Sequence, residues 1–201
     1  YYSSTRGNGL SFWQSAPYAL GGSLMWEFMG EVEPPAINDI LATTMGGICF
    51  GEISHRISNL LLSDRCRGFR RFLREFGAAI INPMGGFNRI VTGKAWRVRN
   101  EYYKYHDYEA LPIDFSISLG GRYLADNGAM FRGDYNSFLN VFLEYGDPLN
   151  RATSKPYDFF SLEAMFGLVG EQPLINAIHI LGRLWGAPVF SGKNFKAQLG
   201  L

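Results

Sequence analysis

Residues 21–58 read GGSLMWEFMGEVEPPAINDILATTMGGICFGEISHRIS. Two mostly apolar segments flank Pro34-Pro35, and each carries acids that a plain core helix would lack: Glu27 and Glu31 in the first, Glu52 in the second. Residues four apart share a helical face, so Ser23, Glu27 and Glu31 form one stripe and Glu52 sits above Arg56, with His55 beside it. Gly22 and Gly30 are two turns apart and Gly47 and Gly51 one turn apart, a spacing that predicts close approach of two helices.

Working outward, Ser11 is placed to cap a helix over about 12–32 that Pro17 either starts or kinks. Asn38 or Asp39 is placed to cap a second helix over about 38–62. Neither reads as a membrane span, because the run free of ionisable groups from Ile40 to Gly51 falls well short of the roughly 20 residues needed. A third helix is predicted over 64–81, starting from Ser63 or Asp64. Its Phe69, Phe72, Leu73, Phe76 and Ile80 fall on one face, and Arg65, Arg67, Arg70, Arg71 and Arg74 cover much of the rest. Residues 1–10 read as an irregular lead-in and Met84–Phe87 as a turn.

From about Ala95 the period changes to two. Ile113, Phe115, Ile117 and Leu119 alternate with Asp114, Ser116, Ser118 and Gly120; Phe160, Leu162, Ala164, Phe166 and Leu168 alternate with Ser161, Glu163, Met165 and Gly167; the stretch 194–201 alternates likewise. With AWRVRNEYYKY (95–105), DYNSFLNVFLEYG (134–146) and LINAIHILGRLWG (174–186), these make about six strands of the ten or so residues usual in an outer-membrane barrel. Tyr102, Tyr103, Tyr123, Tyr145, Tyr157 and Trp185 lie near strand ends, as an aromatic girdle would require. Six strands are too few to close a bacterial single-chain barrel, and open edges are untenable in lipid. The expected fold is therefore α+β: buried N-terminal helices (1–94), then antiparallel strands (95–201) of an incomplete outer-membrane-type β-barrel. Further strands are expected after Leu201 or from a partner chain, and the chain reads as an internal piece of a longer mature protein.

Composition agrees with bilayer contact. Aromatic residues make up 15% and charged residues only 18%, with 24 glycines in 201 residues. A mean hydropathy of −0.06 is too low for a polytopic helical membrane protein, whereas a barrel averages its apolar face away. The net charge of +1 gives no steering toward nucleic acid. Cys49 and Cys66 have neither zinc nor framework spacing, and Cys49 reads as a small buried hydrophobe.

The run SFWQSAPYALGGSLMWEFMGEVEPPAINDILATTMGGICFGEISHRIS (11–58), with INPMGGFNRIVTG (81–93), resembles the bacterial family of domains of unknown function DUF3943. The carrying motifs are Gly22-Ser23 with Trp26-Glu27, Pro35-Ala36-Ile37-Asn38-Asp39, and Gly46-Gly47 with Gly51-Glu52. The resemblance covers about residues 1–97. It implies a Gram-negative envelope location and supplies no activity.

The chemical candidates are Glu27, Glu31, Glu52, His55 and Ser23. Buried carboxylates are costly unless paired, and perturbed carboxylates can serve acid–base chemistry. The favoured expectation is internal pairing in a polar network of Glu27, Glu31, Asn38, Asp39, Glu52, Arg56 and Arg89. Ser54 and His55 are adjacent and so point apart on a helix, and no nucleophile elbow is present, which argues against a triad. No metal or cofactor is expected. His106 and His179 follow no ligand spacing. The third helix's arginines are candidates for lipid phosphate. The expectation is an outer-membrane barrel protein whose helices act as plug, scaffold or partner-docking element, contacting outer-membrane lipid and another envelope protein, with no nucleic acid. The alternative is a barrel-embedded hydrolase or transferase acting on lipid through Glu27, Glu52 and His55.

Overall fold

A computed structural model of the chain describes residues 1–63, 66–97, 113–125, 133–148, 155–168, 173–191 and 196–201. Chain contacts divide it into a helical unit, Tyr1–Glu109, and a strand unit, Ala110–Leu201. The expected strand over 95–105 is not seen where it can be followed: Ala95 and Trp96 lie in a turn of the helical unit, and residues 98–112, with Tyr102, Tyr103 and His106, lie outside the described residues.

The described residues of the helical unit form five helices: α1 Tyr2–Gly7, α2 Phe12–Met29, α3 Ile37–Leu61, α4 Phe69–Ile81 and α5 Pro83–Val91. Ser11 caps α2 as expected, in a capping box with Gln14, and Pro17 sits within the helix. The cap of α3 is a correction. Ala36 holds that position without a side-chain bond; Asn38 and Asp39 are exposed in the first turn, where the charge of Asp39 still suits the helix dipole. Two further corrections concern α1, read from sequence as irregular, and α5, read as a turn. Asn82 accepts from the Gly85 amide at 2.9 Å and Pro83 occupies the first turn of α5, so capping offsets the poor propensity of its glycines. The third predicted helix begins at Phe69, not at 64; Asp64 and Arg65 lie outside the described residues.

The glycine spacing does not do what it predicted. A Cβ on Gly47 would meet open space, one on Gly22 or Gly51 would strike the ring of Tyr1 or Tyr2, and one on Gly30 would strike its own helix's Trp26. The glycine of consequence is Gly51, which admits the Tyr2 ring against α3.

In the strand unit, β1 Ile113–Ala125, β2 Gly133–Tyr145, β3 Phe160–Gly167 and β4 Ile175–Gly182 form an antiparallel sheet in sequence order. A separate hairpin pairs β5 Gly186–Ser191 with β6 Lys196–Gly200. No closed barrel is formed by the described residues. Residues directly opposite in an antiparallel pair share a face. The register aligns Phe115, Leu143, Leu162 and Ile180 in one row and Ile117, Val141, Ala164 and Ile178 in the next, so one face is continuously apolar. The other face is mixed: Ser116, Ser118, Asn140, Glu163 and His179 share it with Phe138, Phe142, Met165 and Leu181, and Asn140 donates to Glu163 at 2.8 Å.

At one end of the sheet Tyr145 stacks on Phe160 with centroids 4.8 Å apart, and Tyr157 covers both Phe160 and Gly182. Tyr145 and Tyr157 are thus buried, a correction to the outward girdle, while Tyr123 and Trp185 remain exposed. Arg183 closes this corner by donating to Asp158 at 2.9 and 3.1 Å. Gly146 turns the chain there with φ of 90°, and an added Cβ would collide with the Asp158 carbonyl oxygen. Gly146→Ala should therefore destabilise the strand unit by about 1–3 kcal/mol in denaturant unfolding; an unchanged midpoint would contradict this account of the corner.

Candidate functional site

The helical unit closes around Glu52, whose side chain is fully buried. Burying a carboxylate demands donors, and two helices provide them at helical spacing. On α1, Tyr2 and Arg6 are four apart; on α3, Glu52 and Arg56 are four apart. The Tyr2 hydroxyl donates to Glu52 Oε2 at 2.8 Å. Arg6 grips the carboxylate with both arms of its fork, Nε at 2.6 Å and Nη2 at 2.9 Å. Arg56 Nε donates to Oε1 at 2.9 Å. Arg6 Nη1 also reaches the Leu10 carbonyl at 2.7 Å, fixing the α1–α2 connection.

Burial pushes the Glu52 carboxyl upward, but the hydrogen bond from Arg6 and the charges of Arg56 and Arg6 outweigh it and hold the group below its ordinary range. The same burial, with the Glu52 charge, raises Tyr2 and keeps the phenol protonated. His55, one residue from the turn that carries Arg56, is lowered to about 4 by burial and then by the Arg6 charge, so it stays neutral near pH 7. The Asn59 amide meets its Nε2 at 3.1 Å.

Beside this knot lies a cavity of about 200 Å³ lined in part by His55, Asn59, Glu75, Asn82, Arg89 and Lys94. Arg89 clasps Glu75 in a bidentate pair at 2.6 and 2.9 Å. Arg71, buried on α4, donates to the carbonyls of Ala95 at 2.7 Å, Lys94 at 3.1 Å and Arg97 at 2.9 Å, anchoring the turn after α5.

The structure therefore gathers Glu52, Arg56 and His55 into one neighbourhood but spreads the other candidates. Glu27 is buried on α2, its Oε2 without a hydrogen-bond partner. Ser23 donates to the Ile40 carbonyl at 3.1 Å rather than to His55. Glu31 is exposed and accepts from Trp26 Nε1 at 2.9 Å. Arg89 serves Glu75, away from the acids of α2. Among the lipid-phosphate candidates Arg67, Arg70 and Arg74 are exposed and Arg71 is buried; Arg65 lies outside the described residues. Cys49 and Cys66 are half-buried thiols, so Cys49 is less enclosed than its helical face predicts. Among the described residues no three His, Cys, Asp or Glu side chains converge as a metal site would require. Sequence reasoning missed Tyr2, Arg6 and Glu75. The signal for the first two was their spacing, on a stretch that looked too short and too rich in turn residues to be helical.

Chemically the Glu52 knot is a saturated ion cluster: its oxygens accept four bonds, leaving little capacity to take up a proton. The class of protein that fold and site define is an α+β chain, with a helical unit centred on a buried, fully donated carboxylate and an antiparallel sheet. Residues 1–84 match the family model described as Domain of unknown function (DUF3943), so the helical unit carries that domain. No curated protein and no solved structure matches the chain.

Two measurements test the knot. Tyr2→Phe leaves the ring and removes one donor from a buried carboxylate, so it should lower unfolding stability by about 1–3 kcal/mol; a neutral result would mean that the hydroxyl is not needed there. For pH, the depressed folded-state value of His55 means that the unfolded chain takes up the proton first. Stability should decline as pH falls from 6.5 toward about 4. The loss from Glu52, whose value is also depressed, begins as pH falls below the unfolded carboxyl's 4.5 and continues until the folded carboxylate itself protonates. His55→Gln should flatten the upper part of this pH–stability curve and leave the lower part.

Proposed function

We propose that the protein is a bilayer-embedded envelope protein of the bacterial outer membrane, in which the four-stranded sheet forms part of a β-barrel wall and the helical unit serves as a scaffold or partner-docking element. The observation that carries this reading is the sheet's apolar face. Phe115, Ile117 and Leu119 are 59%, 58% and 74% exposed in a continuous apolar surface, while the opposite face mixes Phe138, Phe142 and Met165 with Ser116, Ser118, the Asn140–Glu163 pair and His179. Apolar-out, polar-in alternation is the pattern of a barrel wall in lipid.

The helical unit supports the same environment. It buries Ser15, Ser23, Glu27, Thr44, Glu52 and Ser58 and exposes Trp13, Trp26, Phe28, Met29 and Met45. A plug in a polar lumen would present polar groups outward, so the apolar exterior favours scaffold over plug. No described helix is long and apolar enough to cross a membrane, which on this reading has the helices lying along or between apolar surfaces. The alternative of a lipid-acting hydrolase or transferase has one favourable observation, the cavity beside neutral His55, and one against it, the complete engagement of Glu52.

Arginine placed on opposite faces of one strand tests the reading. Ile117→Arg should cost about 2–4 kcal/mol in a lipid-facing position and sharply reduce the amount recovered from the outer-membrane fraction after alkaline washing. Ser118→Arg should be tolerated. Equal recovery of the two variants, or release of the wild-type chain by the wash, would overturn it.

A further inference from the structure

We propose that the polar cavity between α3, α4 and α5 binds a small, water-soluble phosphate compound, held by the start of α5, the Asn82 amide and Lys94. The site belongs to the helical unit alone and does not depend on the bilayer reading. The group that points to a ligand is Asn82. It is 2% exposed and lines the cavity. Its Oδ1 accepts from the Gly85 amide at 2.9 Å, capping α5, while its Nδ2 meets no acceptor among the described residues. A buried amide without an acceptor is costly, so its presence here calls for an acceptor from outside the chain. Gly85 makes the arrangement possible, because a Cβ there would lie 2.6 Å from that nitrogen.

The rest of the cavity suits an anion. Gly85 and Gly86, in the first turn of α5, line it with bare backbone, and the positive end of a helix dipole favours phosphate. Three side chains that line the cavity carry charge at neutral pH: Glu75, Arg89 and Lys94. Glu75 is answered by Arg89 at 2.6 Å and by Arg71 at 3.7 Å. Lys94 is therefore a cation in excess, with no ion pair among the described residues. Its backbone is held in place, since its carbonyl accepts from Arg71 at 3.1 Å. From α3, the Asn59 amide meets His55 Nε2 at 3.1 Å, which leaves the neutral ring its N–H on Nδ1 as a further donor. Donors thus come from α3, from α5 and from the turn after it. A phosphate, with its three strong acceptor oxygens, can answer several of them at once where a carboxylate offers two. The volume of about 200 Å³ admits about six waters, enough for a phosphate with a short organic group and too little for an acyl chain.

The test is calorimetric titration of the full chain, in a maltoside detergent at physiological chloride, with inorganic phosphate, glycerol 3-phosphate and dioleoyl phosphatidic acid in turn. One saturable site per chain is expected for the two soluble phosphates. Lys94→Gln should weaken both by about tenfold or more, the loss of a charged partner; the residue is exposed, so the fold is retained. Asn82→Asp keeps an acceptor for the Gly85 amide, and so the cap, but sets a carboxylate where the phosphate would lie. It should abolish binding with the helical circular dichroism unchanged; if that variant unfolds, Lys94→Gln alone decides. Lys155→Gln, in the strand unit, should change nothing. No saturable heat with either soluble phosphate, affinity indifferent to Lys94→Gln, or an equal loss in Lys155→Gln overturns the inference and leaves the bilayer reading intact. Binding of phosphatidic acid with neither soluble phosphate bound overturns it in favour of a lipid headgroup.

Discussion

The helical unit depends on the burial of one carboxylate. Glu52 has no exposure to solvent, and a charge so placed is tolerable only when donors surround it. That requirement determines more than the pair itself. It holds a six-residue helix, α1, which would not persist alone, against α3, and it explains why residue 51 is glycine beneath the Tyr2 ring. Through Nη1 of Arg6 it also fixes the entry to α2. Asn88 extends the arrangement by donating to the Ser4 carbonyl at 2.9 Å, tying α5 to α1.

A unit assembled by directional polar contacts can leave its apolar residues outside, and this one does. Each helix from α2 to α5 exposes large apolar side chains, while Arg71, Asn82, Ser23 and Ser58 lie inside. The sheet shows a related arrangement, with apolar residues of β1 exposed on one side and the Asn140–Glu163 bond on the other. On the proposed reading both units answer to one constraint: the surroundings are apolar, so hydrophobic burial is completed by lipid or by a partner and specificity comes from the polar interior.

Much of the framework was legible in the sequence. Pro34-Pro35 and the Ser11 cap delimit α2 and separate it from α3 by chain chemistry alone, and the period-two alternation around Phe115 and Leu162 marks β1 and β3 whatever surrounds them. The pairing of Glu52 with Arg56 follows from i, i+4 spacing. What was not legible depended on contacts distant in sequence. Tyr2 and Arg6 reach Glu52 across 50 and 46 positions, and nothing local identifies them as partners. The cap of α3 failed because the Pro-rich connection leaves Ala36 extended, ahead of the better capping residues. Periodicity also identifies an apolar face without saying which way it points. The helices read as buried because aromatic stripes usually face a core, and α4 shows the opposite.

The most direct test of the account is accessibility measured with spin labels. Single cysteines would replace Ile117 on the apolar face of β1, Phe28 on the outer side of α2 and Asn140 on the polar face of β2, in a background lacking Cys49 and Cys66, with the protein in lipid. The account predicts that labels at 117 and 28 relax with oxygen, which concentrates in the bilayer, and that the label at 140 relaxes with a water-soluble nickel complex. Stronger relaxation by the nickel complex at 117 and 28 would contradict it.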